Sequence, residues 1–368
     1  MNYSILRYIL GYVLKIEAAF MLLPCVTSLI YHEEEGRYFF AVACICMLIG
    51  VLMTLHKPKS TTFYLKEGCL APSLSWILLS LFGAIPFWIS GEIPHWEDAL
   101  FETISGFTTT GATVLGNVEA LSHTALIWRS FTHWIGGMGV LVFLLAILPL
   151  SGGSSINLMR AESPGPSVGK LVPKVRYTAM ILYTIYFGMT MIEFIFLLAG
   201  HMPLFDALTT AFGTAGTGGF GIKNDSIMGY SPYIQWVVAI FMILFGINFN
   251  FYFYLLYRHF KKAVSMEEIH YYLAMILIAI TIIFLNVRTM YPTGFEAMTH
   301  SVFQVASLAT STGFSTTDFD LWPQTSQTIL IIVMFVGACA GSTGGGIKVS
   351  RIVILFKTVL KELNSYIH

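Results

Sequence analysis

Charged residues are what this sequence lacks most. Of its 368 residues only 11% are Asp, Glu, Lys or Arg, against about 25% in a typical soluble domain. A soluble fold of this length could not cover its surface with so few charges, so that class is excluded. Residues of the set AVILMFWYC make up 56% of the chain, which indicates an all-α, polytopic membrane protein.

The sequence also lacks an excess of either charge, since 20 Lys and Arg balance 20 Asp and Glu. No bulk positive charge therefore indicates a nucleic-acid partner. Five cysteines lie in or beside apolar runs, without the spacing of a zinc site or a disulfide framework. They are predicted to be small buried residues.

Eight apolar runs are long enough to cross a bilayer, which needs about 20 residues per helix. They are 8–30, 38–56, 69–90, 124–150, 177–199, 232–257, 269–288 and 327–357. Lys and Arg concentrate in alternate loops, which places both termini in the cytoplasm. With that orientation the outer side carries 13 acidic and 4 basic residues. An acidic outer face suits the entrance of a cation pathway.

Three short stretches on the outer side do not fit the pattern of a span: 96–113, 203–221 and 298–316. Each begins with a helix-like piece of about 13 residues and ends in Gly and Thr, a pattern that predicts a re-entrant pore loop. Their similarity divides the chain into repeats. These are an N-terminal two-helix hairpin (1–60) and three helix–pore-loop–helix repeats (61–160, 161–262 and 263–368).

The loops have the composition of a selectivity filter. A dehydrated cation needs a ring of oxygen ligands, which inward-turned backbone carbonyls supply, and glycine permits the required backbone angles. The alternative is that Gly and Thr only allow close helix packing. The predicted potassium-binding filter residues are Thr109, Thr110, Gly111, Ala112, Thr217, Gly218, Gly219, Phe220, Thr312, Gly313 and Phe314.

The last apolar run, 327–357, is too long and too rich in glycine for one straight helix. It would measure about 46 Å at 1.5 Å per residue, against a bilayer core near 30 Å. Two half-helices joined by an intramembrane loop are predicted, with a tight helix-packing site as the alternative. The predicted gate-loop residues are Gly337, Gly341, Ser342, Thr343, Gly344, Gly345, Gly346 and Lys348.

Two further ionisable residues, Arg129 and Glu193, lie at or near membrane depth. Such groups are rare in lipid and are often functional, although structural pairing between helices is an equal alternative.

Three more segments, added to the pore loops, carry a resemblance to a known family. They are Trp128–Gly139, Ala161–Pro166 with Lys170–Pro173 after it, and Gly337–Lys348. The chain resembles the membrane subunit of Trk-type potassium uptake systems, within the Trk/Ktr/HKT superfamily. The resemblance extends from the first helix nearly to the last residue.

The resemblance implies potassium uptake through a pore of four pseudo-symmetric units, with the ion as substrate and without a cofactor or an enzymatic step. It implies the bacterial cytoplasmic (inner) membrane as the location, and a homodimer and a cytosolic nucleotide-binding regulatory ring as the assembly. It also places the glycine-rich loop just below the filter, as a gate. In the family a filter glycine accompanies potassium selectivity, and Gly111, Gly219 and Gly313 occupy those positions.

One departure concerns the fourth unit of the family, because this chain ends at His368 just after the third. A fragment or a truncated product is expected, with completion by another chain as a further alternative. The rival functions are a non-conducting remnant, a sodium/potassium-permeable relative and, less favoured, a polytopic membrane enzyme. The sequence contains no H-E-x-x-H or G-x-S-x-G motif and no intramembrane Asp pair to favour the enzyme.

Overall fold

A computed structural model of the chain describes residues 2–58, 65–139 and 175–367. This part of the chain is helical and contains no strand, which confirms the all-α prediction. Its α-helices are α1 Tyr3–Phe20, α2 Leu22–Tyr31, α3 Gly36–Thr54, α4 Leu65–Ile89, α5 Trp96–Phe107, α6 His123–Met138, α7 Val175–Ala199, α8 Leu204–Ala215, α9 Pro232–Phe245, α10 Phe249–Leu256, α11 Phe260–Val264, α12 Glu267–Val287, α13 Gly294–Ala309, α14 Gln324–Val336 and α15 Val349–Ile367.

Five candidate spans in the described residues are long and apolar enough to cross a membrane, or six if a bent pair counts as one. They are Tyr3–Tyr31, Gly36–Thr54, Cys69–Ile89, Tyr177–Ala199 and Glu267–Val287, with Pro232–Phe245 plus Phe249–Leu256 as the bent pair. The part of the predicted span 124–150 that follows residue 139 lies outside the described residues, as does the motif at 161–173. The chain is a multi-pass membrane protein.

The predicted span over 232–257 is divided into two helices. Helices α9 and α10 meet at an angle of 91°. Between them Gly246 ends the first helix, and the side chain of Asn248 caps the second by accepting a hydrogen bond from the Asn250 amide at 3.0 Å. Glycine is a poor helix residue and asparagine a good N-cap, so the local sequence favours the break over an apolar run.

The described residues form two compact units, the first comprising those up to Tyr186 together with 220–224. In this unit α1 packs against α3 and α4, and α5 packs against α4 and α6. The α5–α6 contact depends on small residues. A Cβ on Gly106 would lie 2.1 Å from the Thr132 hydroxyl oxygen, and one on Gly136 would lie 2.2 Å from the Phe107 carbonyl oxygen. The sequence thus lets these two backbones approach closely.

The second unit comprises residues 187–219 and 225–368. Here α13 packs against α9, α12 and α14, and α8 packs against α9. Each pore helix, α8 and α13, therefore lies beside apolar helices of the same unit. The four predicted repeat segments stay a prediction.

A carboxylate from a distant loop caps the start of α6. Glu33 accepts hydrogen bonds from the backbone amides of His123 and Thr124 at 2.9 and 2.8 Å, and from the Thr124 hydroxyl at 2.6 Å. Burial alone would raise the pKa of Glu33, but these hydrogen bonds outweigh it and lower the pKa. The first amides of a helix have no partner within it, so this negative group stabilises the helix end.

Replacing Glu33 with Ala should destabilise the protein in detergent by about 1–2 kcal/mol, the usual effect of losing a helix cap. Because the folded pKa is lowered, this stabilisation is present above the unfolded pKa and is lost as pH falls through the folded value. The difference between Glu33→Ala and the unmutated protein should therefore be full at pH 7 and shrink below about pH 4. Thermal unfolding at several pH values measures it. Glu34→Ala, at a side chain 77% exposed, should change little.

Candidate functional site: the pore loops and the glycine-rich loop

The three predicted pore helices exist and are short. Helices α5, α8 and α13 contain 12, 12 and 16 residues, and each is followed by an irregular segment of Gly and Thr. None is long enough to cross a bilayer. Each of these helices therefore leads into its loop and does not itself span the bilayer.

The chain leaves all three pore helices by the same hydrogen-bonded turn. The Thr110 amide donates to the Ser105 carbonyl at 2.9 Å, and the Gly218 and Thr312 amides donate to the carbonyls of Gly213 and Ser307 at 3.1 and 2.8 Å. The residue before each of these amides has a positive φ, between 52° and 55°. These left-handed residues are Thr109, Thr217 and Ser311. Non-glycine residues adopt this conformation rarely, so its threefold recurrence marks one shared loop geometry.

The predicted filter glycine has a positive φ in every loop. The values are 74° at Gly111, 72° at Gly219 and 89° at Gly313, in the region that glycine reaches without steric cost. Gly219 is more constrained than Gly313. A Cβ there would lie 1.9 Å from the Thr312 carbonyl oxygen. The second and third loops therefore meet at a point where only glycine fits.

Side-chain hydroxyls form local hydrogen bonds in the loops. The hydroxyls of Ser105 and Ser307 donate to the carbonyls of Ala112 and Phe314, both at 2.6 Å. Thr310 and Thr312 pair through their hydroxyls at 2.7 Å. The same positions in the first loop, Thr108 and Thr110, pair at 2.8 Å. The threonine hydroxyls are thus engaged locally, and the loop backbone is held in a fixed shape.

The predicted break in the last apolar run is present, because α14 ends at Val336 and α15 begins at Val349. The ends of the intervening loop adjoin. A Cβ on Gly337 would lie 2.6 Å from the Cα of Gly346, and the Lys348 amide donates to the Val336 carbonyl at 2.9 Å. The loop is a closed turn inserted between two helices.

The glycine-rich loop, residues 337–348, contacts the second and third pore loops. The Thr217 hydroxyl donates to the Thr343 carbonyl at 2.8 Å, and the Gly345 amide donates to the Ser311 hydroxyl at 2.7 Å. Thr217 and Ser311 are the left-handed residues that begin these two pore loops. A displacement of the glycine-rich loop would therefore break bonds to both.

The same loop is tied to the unexpected bend between α9 and α10. The Phe249 amide donates to the Gly341 carbonyl at 2.9 Å, and the Cys339 amide donates to the Gly246 carbonyl at 3.0 Å. The bend thus exposes backbone groups that hold the glycine-rich loop. This contact explains why the fold contains the bend. The sequence signal for it was Gly246 followed by Asn248.

Two further side chains hold the loop in place, Glu268 from outside it and Lys348 from within it. A carboxylate oxygen of Glu268, at the start of α12, accepts the Ala340 amide at 2.6 Å. The Lys348 ammonium donates to the Gly344 carbonyl, and Lys348 is 5% exposed. Neither contact follows from the spacing of residues in the sequence.

Of the two ionisable residues singled out from the sequence, Arg129 is paired. Its Nε donates to a Glu102 carboxylate oxygen at 2.5 Å, and both side chains are buried. Glu193 is fully buried in α7. Sequence reasoning did not single out Glu102 as a site residue. Its only signal was an acid in the middle of the pore helix, nine residues before the filter glycine.

Comparison with known proteins agrees with this geometry. The TrkH family model, described as a cation transport protein, matches residues 36–368. The chain is 36% identical to the Trk system potassium uptake protein TrkH of Salmonella typhimurium, an alignment that covers all of this chain and 78% of that protein. It is 34% identical to the Trk system potassium uptake protein TrkG of Escherichia coli K12, covering 99% and 76%.

A solved structure shows the same fold. The crystal structure of the potassium transporter TrkH from Vibrio parahaemolyticus superposes with a TM-score of 0.87 at 29% identity, covering all of this chain and 77% of that one. The family match, the relatives above 30% identity and the shared fold lead to one conclusion. The chain belongs to the TrkH family of cation transport proteins.

Proposed function

We propose that this protein takes up potassium ions across the bacterial cytoplasmic membrane. The proposal is supported by its family and by relatives whose names describe potassium uptake. The observation that carries it is the threefold loop geometry, in which a left-handed residue precedes a positive-φ glycine at the same spacing in each loop. Three copies of one strained backbone shape favour a shared role in binding over incidental helix packing.

The ligands in this proposal are backbone carbonyls. Those of 109–112, 217–220 and 312–314 replace the water around a dehydrated potassium ion. Glycine at Gly111, Gly219 and Gly313 permits the backbone angles, and the hydroxyls behind the loops hold the carbonyls in place. The pore helices also end at the loops, so the partial negative charge of each C-terminus favours a cation there.

The gate in this proposal is the glycine-rich loop, residues 337–348. It is held to two pore loops by Thr217 and Ser311 and to the start of α12 by Glu268, while Lys348 closes it internally by donating to the Gly344 carbonyl. Breaking these bonds would release it. A homodimer and a cytosolic nucleotide-binding ring are the proposed partners, and both termini are proposed to lie in the cytoplasm, where a ring could act on α15.

Growth on limiting potassium tests the function. The complete coding sequence, expressed in a bacterial strain without its own potassium uptake systems, should restore growth at low external potassium. A matched culture should show potassium uptake that excess sodium does not suppress. Failure to restore growth with the protein present in the membrane would contradict the proposal. Equal uptake of sodium would replace it with a sodium/potassium-permeable transporter.

A further inference from the structure

A buried ion pair links the outer ends of two pore loops. The Glu102 carboxylate accepts hydrogen bonds from the Thr113 hydroxyl at 2.9 Å and from the Val114 amide at 3.2 Å. Both residues directly follow the proposed filter segment of the first loop. Glu102 therefore holds the first loop at the point where it leaves the filter.

Arg129 extends this connection to the second loop. It lies on α6 and donates from Nε to Glu102 at 2.5 Å and from Nη1 to the Gly221 carbonyl at 2.8 Å. Its guanidinium carbon also lies 3.6 Å from the centroid of the Phe220 ring. A planar fork with several donors is what such a double contact requires, and lysine could not reproduce it.

Burying this ion pair costs free energy, and the fold alone does not require it. The Glu102 side chain is 0% exposed and that of Arg129 is 3% exposed. Removing two charges from water is expensive, and apolar residues of similar size often stabilise a fold as well or better. A gain in stability is therefore a weak explanation for the pair.

The second and third repeats have no such ion pair at the corresponding positions. The residues that correspond to Glu102, nine positions before the filter glycine, are Thr210 and Gln304. The residues that correspond to Arg129, seven positions after the N-cap of the helix that follows the pore loop, are Val238 in α9 and Leu330 in α14. In the third repeat Gln304 donates to the Thr317 carbonyl at 3.0 Å without any charge. Because the repeat architecture does not require the charges, their presence in the first repeat calls for a local reason.

We propose that Glu102 and Arg129 are positioning residues that fix the backbone where the first and second filter loops end, at 113–114 and 220–221 of the first unit, and thereby set potassium selectivity. Neither side chain serves as an ion ligand in this proposal, because both are engaged with the loops and with each other. Discrimination between potassium and sodium depends on keeping carbonyls at a set distance and number. The inference rests on the proposed function, since it assigns a role within that filter.

Permeability ratios in reconstituted protein test this role. Glu102→Gln and Arg129→Met should each lower the potassium-to-sodium ratio by about tenfold, while total cation flux persists. Arg129→Lys keeps the charge beside Glu102 but not the contact with Gly221. It should recover thermal stability without recovering selectivity, a separation that a merely structural role would not produce.

Two variants control for folding and for general charge loss. Thr113→Val removes one hydrogen bond to Glu102 without leaving a buried charge unpaired, and should lower the ratio in the same direction by a smaller factor. Glu34→Gln breaks an exposed outer pair with Arg37 at 3.0 Å and should leave the ratio unchanged. An unchanged ratio in folded Glu102→Gln, Arg129→Met and Thr113→Val would overturn the inference.

Hydrogen exchange separates this inference from the proposed function. Amides at 111–116 and 219–224 should exchange about tenfold faster in Arg129→Met than in the unmutated protein. Their exchange rates should not change in Glu34→Gln. This readout does not depend on ion flux. If the unmutated protein carried no potassium, the proposed function would fail. Unchanged exchange in Arg129→Met would show, whatever the ion flux, that the pair does not position the loops.

Discussion

Potassium uptake should fall at least about tenfold when Gly219 is replaced by Ala. A residue with a side chain costs about 1–2 kcal/mol in the left-handed region, and 1.36 kcal/mol corresponds to a factor of ten in rate. The φ of Gly219 is 72°, and its Cβ would lie 1.9 Å from the Thr312 carbonyl oxygen. The substitution must therefore displace a proposed ligand of the third loop in addition to straining the second. Uptake of potassium at low external concentration measures the loss.

Two other glycines provide matched controls for this result. Gly313 has a φ of 89°, and no heavy atom lies within 4 Å of the position its Cβ would take. Gly313→Ala should therefore show the backbone strain without the collision, and a smaller loss. Gly294, at the start of α13, has neither constraint, so Gly294→Ala should transport normally. Normal uptake by Gly219→Ala, with the protein folded in the membrane, would remove the second loop from the filter.

The positions of the pore loops could be predicted because their signals are local. A pore helix too short to span, followed by Gly and Thr, is visible in the sequence at all three sites, and α5, α8 and α13 confirmed it. The break after Val336 was predictable for the same reason, since five glycines within ten residues oppose a helix. Such features depend on neighbours in the chain, which sequence reasoning evaluates well.

The connections between distant residues could not be predicted in the same way. Glu33 caps a helix 90 residues later, and Glu268 holds an amide 72 residues later. No spacing rule links such pairs, because packing alone brings them together. Glu102 was overlooked because an acid in a pore helix is usually assigned to the mouth of the pathway, whereas this one points into the protein. The bend at Gly246 was hidden by the apolar run around it.

Deleting Gly341–Gly345 should raise ion flux by about ten- to a thousand-fold, the range expected if the open state is populated at about 0.1–10% at rest. The deleted residues include the partners of Thr217, Ser311 and Phe249, so every one of these attachments is removed together. The fold should tolerate the change because Gly337 and Gly346 already adjoin. The three residues left between them, 338–340, suffice for a turn. Flux into vesicles, at equal protein content, measures the effect.

A point substitution should reproduce part of this gain. Lys348→Gln removes the charged hydrogen bond to the Gly344 carbonyl, and bonds of that kind contribute about 1.5–3 kcal/mol. If the bond forms only in the closed state, flux should rise about tenfold or more. Arg351→Gln removes a charge three residues later, where the side chain is exposed and bonds to the Ile347 carbonyl, and should change flux little. Equal increases in both variants would indicate an effect of charge on cation entry. Unchanged flux in the deletion variant would show that the loop is a packing element and not the gate.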